Sequence, residues 1–261
     1  MQDLQAQVAM GPRVPGSEAH AEFRNWISET TLSDNWIIKE YVHPLTEPAM
    51  VNLSFDNGVM ADHWILLGAH YDSRAYADQS PDAADKQKPV PGANDSASGV
   101  AILTELARSL PENLSCHITL VFFDAEDQGD IAGRNWSEGS AWFVETLTQL
   151  PDEVVIVDMV ADKNLQIYRE RNSTPNLIDR IWDQAASLGY EKFFINQPKF
   201  NMIDDHIPFL ASGIDTTLII DFDYPAWHTL QDDMASISEE SLAIVGETLY
   251  HWLVNHPNCQ P

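Results

Sequence analysis

Most of the forty acids and nine histidines of this chain have no obvious task, but a few stand where apolar runs end. His70 closes HWILLGAH (63 to 70), and Asp72 follows it. Glu126 and Asp127 sit side by side in FFDAEDQGD, just after HITLVFFD (117 to 124), whose last residue is Asp124. Asp158 lies inside EVVIVDMV (153 to 160); Asp221 and Asp223, then His228, accompany DTTLIIDF (215 to 222). Carboxylates gathered on a partly buried rim repel one another strongly, so they need shared protons or a cation. A divalent ion meets that need, and histidine with carboxylate, without thiolate, suits zinc in a catalytic site rather than a structural one. Asp95, in PGANDSASGVA ahead of a helical pattern, has two readings: Gly92 and Asn94 permit a tight turn that aims it at a metal, or it caps the helix.

The four apolar runs are the elements that must position these groups. They are short, rich in β-branched and aromatic residues, and apolar on both faces, as a sheet covered on both sides requires. Helical patterns alternate with them: residues 96 to 110, residues 174 to 189 with Thr174-Pro175 at the start and Gly189 at the end, and a last helix to about residue 254. That last helix opens on a capping box, either Ser236 with Glu239 or Ser238 with Ser241. The alternation predicts a three-layer α/β/α sandwich with a mixed, mostly parallel central sheet, as one domain over residues 1–261. Ligands of such a sheet bind beyond the carboxyl ends of its strands, so the strand-end residues are expected to converge on one rim. The polar stretch from 74 to 94, with three prolines and a glycine, is a long loop of the functional kind.

A formal charge of −26 argues against nucleic acid or an anionic lipid surface as partner, and most of the acids read as a solvated surface. No run approaches the length of a membrane span. The polar start after Met1 reads as a chain whose leader is missing, so the expected location is secreted or periplasmic, and the expected state a monomer. Cys116 and Cys259 stand far apart and outside any CxxC; spacing assigns them no disulfide, and Cys116, opening an apolar run, reads as a small buried hydrophobe.

The motifs GAHYDSR, PGANDSASGVAILTELAR, FFDAED, VDMV, DDHIPF and WHT follow one another in this order. In that order they resemble the zinc-dependent aminopeptidases and their relatives, the animal and bacterial glutaminyl cyclases, and the resemblance extends from about residue 10 to 255. It implies that His70, Asp95, Asp127, Asp158 and His228 match the five ligands of a two-zinc aminopeptidase site, with Asp95 bridging and Glu126 as general base. In the cyclase branch it implies a single zinc held by Asp95, Asp127 and His228, with Glu126 shuttling a proton inside an acid network that includes Asp158 and Asp204. The sequence departs from the usual pattern at Asp127, where aminopeptidases and animal cyclases carry the longer glutamate. It departs again at Ala69, where the animal enzymes have the first cysteine of a bridge.

Within the resemblance, three features favour cyclisation of N-terminal glutamine to pyroglutamate on peptides or proteins over hydrolysis by a zinc aminopeptidase. Asp204 precedes the Asp205-His206 pair as in the cyclase DDHIPF signature, Trp227 directly precedes His228, and Trp136 follows the acid pair by ten residues. Each has a plainer reading: Asp204 as an N-cap, Trp227 in the core, Trp136 packed under a loop. His206 is expected beside the metal ligands rather than among them, and His70 is a ligand only if two ions bind. An inactive peptide-binding domain would have lost the acid pair or His228, and both are present.

Overall fold

The structure, a computed structural model, describes residues 1–30 and 36–260. Its elements in order are α1 (Gln2–Met10), α2 (Glu18–Thr30), β1 (Ile37–Val42), β2 (Val51–Asp56), β3 (Trp64–His70), α3 (Ala97–Ser109), β4 (His117–Phe123), α4 (Glu138–Thr146), β5 (Glu153–Asp158), β6 (Ile167–Arg169), α5 (Pro175–Ser187), β7 (Phe194–Pro198), α6 (His206–Ala211), β8 (Asp215–Ile220) and α7 (Glu239–Val254). Six strands form one sheet in the order β1-β2-β4-β3-β5-β8. Strands β4, β3, β5 and β8 are parallel neighbours, so their carboxyl ends share one edge; His70 aligns with Phe123, and Asp158 with Ile220. β1 and β2 add antiparallel to the outer side. Strands β6 and β7 pair separately.

The two-residue period of each strand sorts the core into two layers. Ile65, Leu67 and Ala69 of β3 and Ile118, Leu120 and Phe122 of β4 pack with residues of α1, α2, α3, α5 and α7. The alternate positions, Leu66, Val121, Phe123 and Ile156, pack with Phe143 of α4 and Phe209 of α6. This is the sandwich that alternating strands and helices predict.

The α3 helix sits so close to β5 that a Cβ at Gly99 would lie 2.2 Å from the Val157 carbonyl oxygen. Only glycine permits that seat, and it brings the turn containing Asp95 to the end of β5. Ser238, the second of the two expected caps, accepts from the Ser241 amide at the start of α7, whereas Ser236 falls in a short 3₁₀ turn.

Two features go beyond the sequence reading. The edge strands β1 and β2 are not among the four expected; IIKEYV interrupts its apolar pattern with Lys39 and Glu40, as an exposed edge tolerates. Cys116, whose pairing the spacing left open, is buried as expected and is joined to Cys259 by a disulfide with Cα atoms 4.5 Å apart. α7 returns the C-terminus to the amino end of β4, a closeness that sequence separation does not reveal. Among the described residues no helix is long and apolar enough to cross a membrane.

Candidate active site

At the carboxyl edge of the parallel strands, His70 ends β3, Asp158 ends β5, and Glu126 and Asp127 follow β4 through a turn in which Ala125 takes a left-handed conformation, φ 58°. Asp95 arrives from the turn before α3, and His228, also left-handed at φ 53°, from the segment after β8. Non-glycine residues adopt this region at a cost that surrounding contacts must cover; here His228 aims its own ring at the site, while Ala125 turns the chain ahead of Glu126 and Asp127. His70 Nε2 lies 3.1 Å from Asp95 Oδ1 and 3.2 Å from Asp158 Oδ1. His228 Nε2 lies 3.0 Å from Asp127 Oδ1 and 3.6 Å from Asp95 Oδ2. Asp95 therefore turns one oxygen to each histidine. All five side chains are buried.

These separations fit a cation. Ligand bonds of about 2.0–2.1 Å in a tetrahedral zinc site put neighbouring donor atoms about 3.3 Å apart. The histidine-to-carboxylate distances in both triads, His70/Asp95/Asp158 and Asp95/Asp127/His228, are close to that spacing, and each triad could hold one ion. Both oxygens of Asp127 are buried without an aligned hydrogen-bond donor, with Arg74 Nη1 at 3.5 Å from Oδ1 as a distant counter-charge, so the carboxylate has lone pairs left for a cation. The shorter side chain of Asp127, compared with the glutamate expected there, thus still reaches the shared point.

A second group of acids adjoins the donors. Glu126 accepts from Ser137 Oγ at 2.9 Å, and burial, reinforced by the negative charge of Asp204, holds its carboxyl well above the usual range. Burial, with Asp158 nearby, pushes Asp204 up to about 7, and burial with Asp204 raises Asp205. Among the described residues, Asp204 Oδ1 accepts only from the adjacent Asp205 amide, at 2.5 Å. That is not the reach to the second or third helical amide that an N-cap makes, so the capping alternative does not describe it. Buried acids that cannot all ionise together make a site able to hold and pass protons. His206 lies 3.4 Å from Glu170 Oε2, which is outside the donor set, rather than against one of the expected ligands.

The two tryptophans flank His228. Trp227 stacks on its ring at 3.9 Å between centroids, with Phe222 edge-on behind at 5.0 Å. Trp136 lies parallel to the same imidazole at 6.0 Å, under the Arg74 guanidinium at 4.8 Å. A Cβ at Gly129 would meet the Trp136 ring at 2.1 Å, so the loop beneath must be glycine. Both indoles are half-buried.

The expected convergence of strand-end residues holds only in part. Asp124 turns away, pairing with His20 Nε2 at 2.8 Å and accepting from the Val51 amide at 2.8 Å. Asp221 accepts from the Gln166 and Asp223 amides, and Asp223 pairs with Lys199. Asp72 is a brace instead of a ligand: it accepts from the amides of Glu126 and Asp127 and from Gln128 Nε2, and faces His70 Nδ1 at 3.4 Å. Three further braces escaped sequence reasoning. Asp78 faces His228 Nδ1 at 3.4 Å while binding Arg74 through its other oxygen. Arg74 also donates to the carbonyls of Asp127 and Gly129. Asp232 accepts from the amides of Asn94 and Asp95 and from the Tyr224 hydroxyl. A carboxylate behind a metal-type histidine is the pattern that could have pointed to Asp78, but the long loop sets no fixed spacing.

A helix-flanked, mostly parallel sheet with histidine and carboxylate donors along its carboxyl edge places the molecule among the Zn-dependent exopeptidase-like folds. The chain belongs to peptidase family M28, which it matches over residues 51–253. A glutaminyl cyclase from Porphyromonas gingivalis shares 31% identity and superposes with a TM-score of 0.89 over 97% of this chain and 95% of that one. A glutaminyl-peptide cyclotransferase from Drosophila melanogaster is 26% identical over 275 residues, 90% of this chain and 75% of its own. A leucine aminopeptidase precursor from Bacteroides thetaiotaomicron is as similar in structure, with 27% identity and a TM-score of 0.89 over 98% and 95% of the two chains.

Proposed function

We propose that the chain, acting as a single domain, cyclises N-terminal glutamine of peptides or proteins to pyroglutamate, releasing ammonia. The observation that carries the reading is the buried acid group Glu126, Asp158, Asp204 and Asp205 beside the donor set, where burial and the charge of Asp204 raise the Glu126 carboxyl well above its ordinary range. Cyclisation moves a proton within one substrate and needs no outside water. The α-amine attacks the side-chain amide carbon of its own residue, a carbon–nitrogen bond forms, and the carbon–ammonia bond breaks. Glu126 takes the proton from the attacking nitrogen and delivers it to the leaving one, which calls for a carboxyl that both accepts and donates near neutral pH. Asp204 and Asp158 share charge with Glu126 and keep it able to do both. Trp136 and Trp227, walling the approach to His228, suit a small planar amide group and a dry site. Asp95, Asp127 and His228 would hold one zinc. When bound, that ion supplies Lewis-acid polarisation of the side-chain carbonyl and a counter-charge for the oxyanion.

A second reading, a two-zinc aminopeptidase, is favoured by the His70/Asp95/Asp158 triad, which offers a second ion its own donors. The two readings separate with paired substrates. Glutaminyl-naphthylamide should release ammonia without free arylamine, and zinc analysis should give about one ion at the shared-Asp95 centre. Release of arylamine from leucyl-naphthylamide would overturn the cyclase reading. The Cys116–Cys259 disulfide supports an oxidising compartment, secreted or periplasmic. The charge of −26 speaks against nucleic-acid and anionic-membrane partners, and the chain is read as a monomer.

A further inference from the structure

A third set of metal-type donors lies at the opposite end of the sheet. His63 immediately precedes β3, Glu153 opens β5 and His256 follows α7. β3 spans seven residues, so this cluster is roughly 20 Å from His70 at a strand rise of about 3.3 Å per residue. His63 Nε2 lies 3.4 Å from Glu153 Oε1, and His256 Nε2 lies 3.3 Å from the same oxygen. Those are again the edge lengths of a tetrahedral zinc-type ion, about 3.3 Å. Glu153 and His256 are buried, and His63 Nε2 is a buried nitrogen without a hydrogen-bond partner. Asp152 Oδ2 lies 3.6 Å from His63 Nδ1, a carboxylate on the far side of the ring that suits a proton on that nitrogen once an ion occupies Nε2.

One cation already reaches this point. Arg180 places Nη1 at 3.1 Å from Glu153 Oε1 and 3.0 Å from His256 Nε2, and Nη2 at 2.9 Å from Glu153 Oε2. Its side chain is about one third exposed, so it has solvent to retreat into. An ion on Oε1 requires only the Nη1 contacts to be given up, and Nη2 can stay on Oε2.

We propose that His63, Glu153 and His256 form a second, non-catalytic site for a zinc-type divalent ion, for which Arg180 is the competing occupant. On His256, Arg180 Nη1 donates to Nε2, so the lone pair of that nitrogen already points into the cluster, and an ion would replace the guanidinium there without a change of tautomer. The ion would tie the amino ends of β3 and β5 to the segment after α7, three residues before Cys259. Its role there is stabilisation by preferential binding to the folded chain.

The test uses the enzyme with its catalytic zinc already in place, titrated with further ZnCl₂ by calorimetry. A further equivalent should bind to the unaltered protein and be lost in His63→Ala/His256→Ala. Arg180→Gln should bind it at least tenfold more tightly, and zinc-edge anomalous diffraction should place a peak between the three side chains. No further binding to the unaltered protein, or equal binding by the double variant, overturns the proposal. Should the double variant not fold, Arg180→Gln decides: unchanged or weaker affinity means that Arg180 and the ion do not share a site.

Discussion

Gly99→Ala tests whether the seat of α3 on β5 positions the site. The new Cβ would lie 2.2 Å from the Val157 carbonyl oxygen and 3.0 Å from the Ala69 Cβ. The first contact is with backbone and cannot be relieved by rotating a side chain, so helix and strand must part by about 1 Å. Overpacking of this kind costs about 3 kcal/mol at its upper range. Alanine repays about 1 kcal/mol of helix propensity over glycine. The net loss of about 2 kcal/mol lowers the melting temperature by roughly 4–8 °C for a chain of this size. The displaced turn carries Ser98, which donates to the Asn94 carbonyl and accepts from the Val160 amide, so Asp95 moves with it and ammonia release from a glutaminyl peptide falls. Gly246→Ala on α7 is the control: its Cβ would make an ordinary 3.5 Å contact with Ile102 and should be neutral or stabilising. Differential scanning calorimetry of the three proteins decides. A Gly99→Ala variant as stable as the parent, or a Gly246→Ala variant equally destabilised, would refute the reasoning.

Glu126→Gln keeps the shape of the side chain and the bond from Ser137 but ends proton transfer, so kcat should fall by about 10²–10⁴ with zinc content unchanged; a variant of near-normal rate removes the shuttle role. Asp78→Asn withdraws the charge behind His228 and should weaken zinc binding by about 10–100-fold, read against a competing chelator. Glu170 is opposed by burial, but His206 and the amides of Met202 and Asn172 bring its pKa down to about 2. The stability it confers is full above its unfolded value of 4.5 and is lost as pH falls through about 2. Discounted for partial screening, Glu170→Gln should be about 1–2 kcal/mol less stable in urea at pH 7, with the gap narrowing at pH 4 and further at pH 3. A gap that does not change with pH would show that the charge is not responsible.

The sequence by itself determined the four parallel strands, because a strand buried on both faces must be apolar throughout and its ends are then conspicuous. It also marked the residues those ends could deliver, His70, Asp72, Asp124, Glu126, Asp127, Asp158, Asp221, Asp223 and His228, without sorting those that face one point from those that do not. Resemblance, more than pattern, singled out Asp204, Trp136 and Trp227, since an acid before a short helix and a lone indole carry no periodicity of their own. Only the tertiary structure decided which acids face the site. Asp124 and Asp127 are three residues apart, yet the left-handed turn at Ala125 sends one to His20 and the other to His228. Asp72 and Asp78 acquired their bracing roles from loops, whose paths depend on contacts distant in sequence. The pairing of Cys116 with Cys259 and the cluster of His63, Glu153 and His256 have the same origin. Both exist because α7 brings the chain end back beneath the amino edge of the sheet, and that return is set by packing of apolar faces rather than by any local signal.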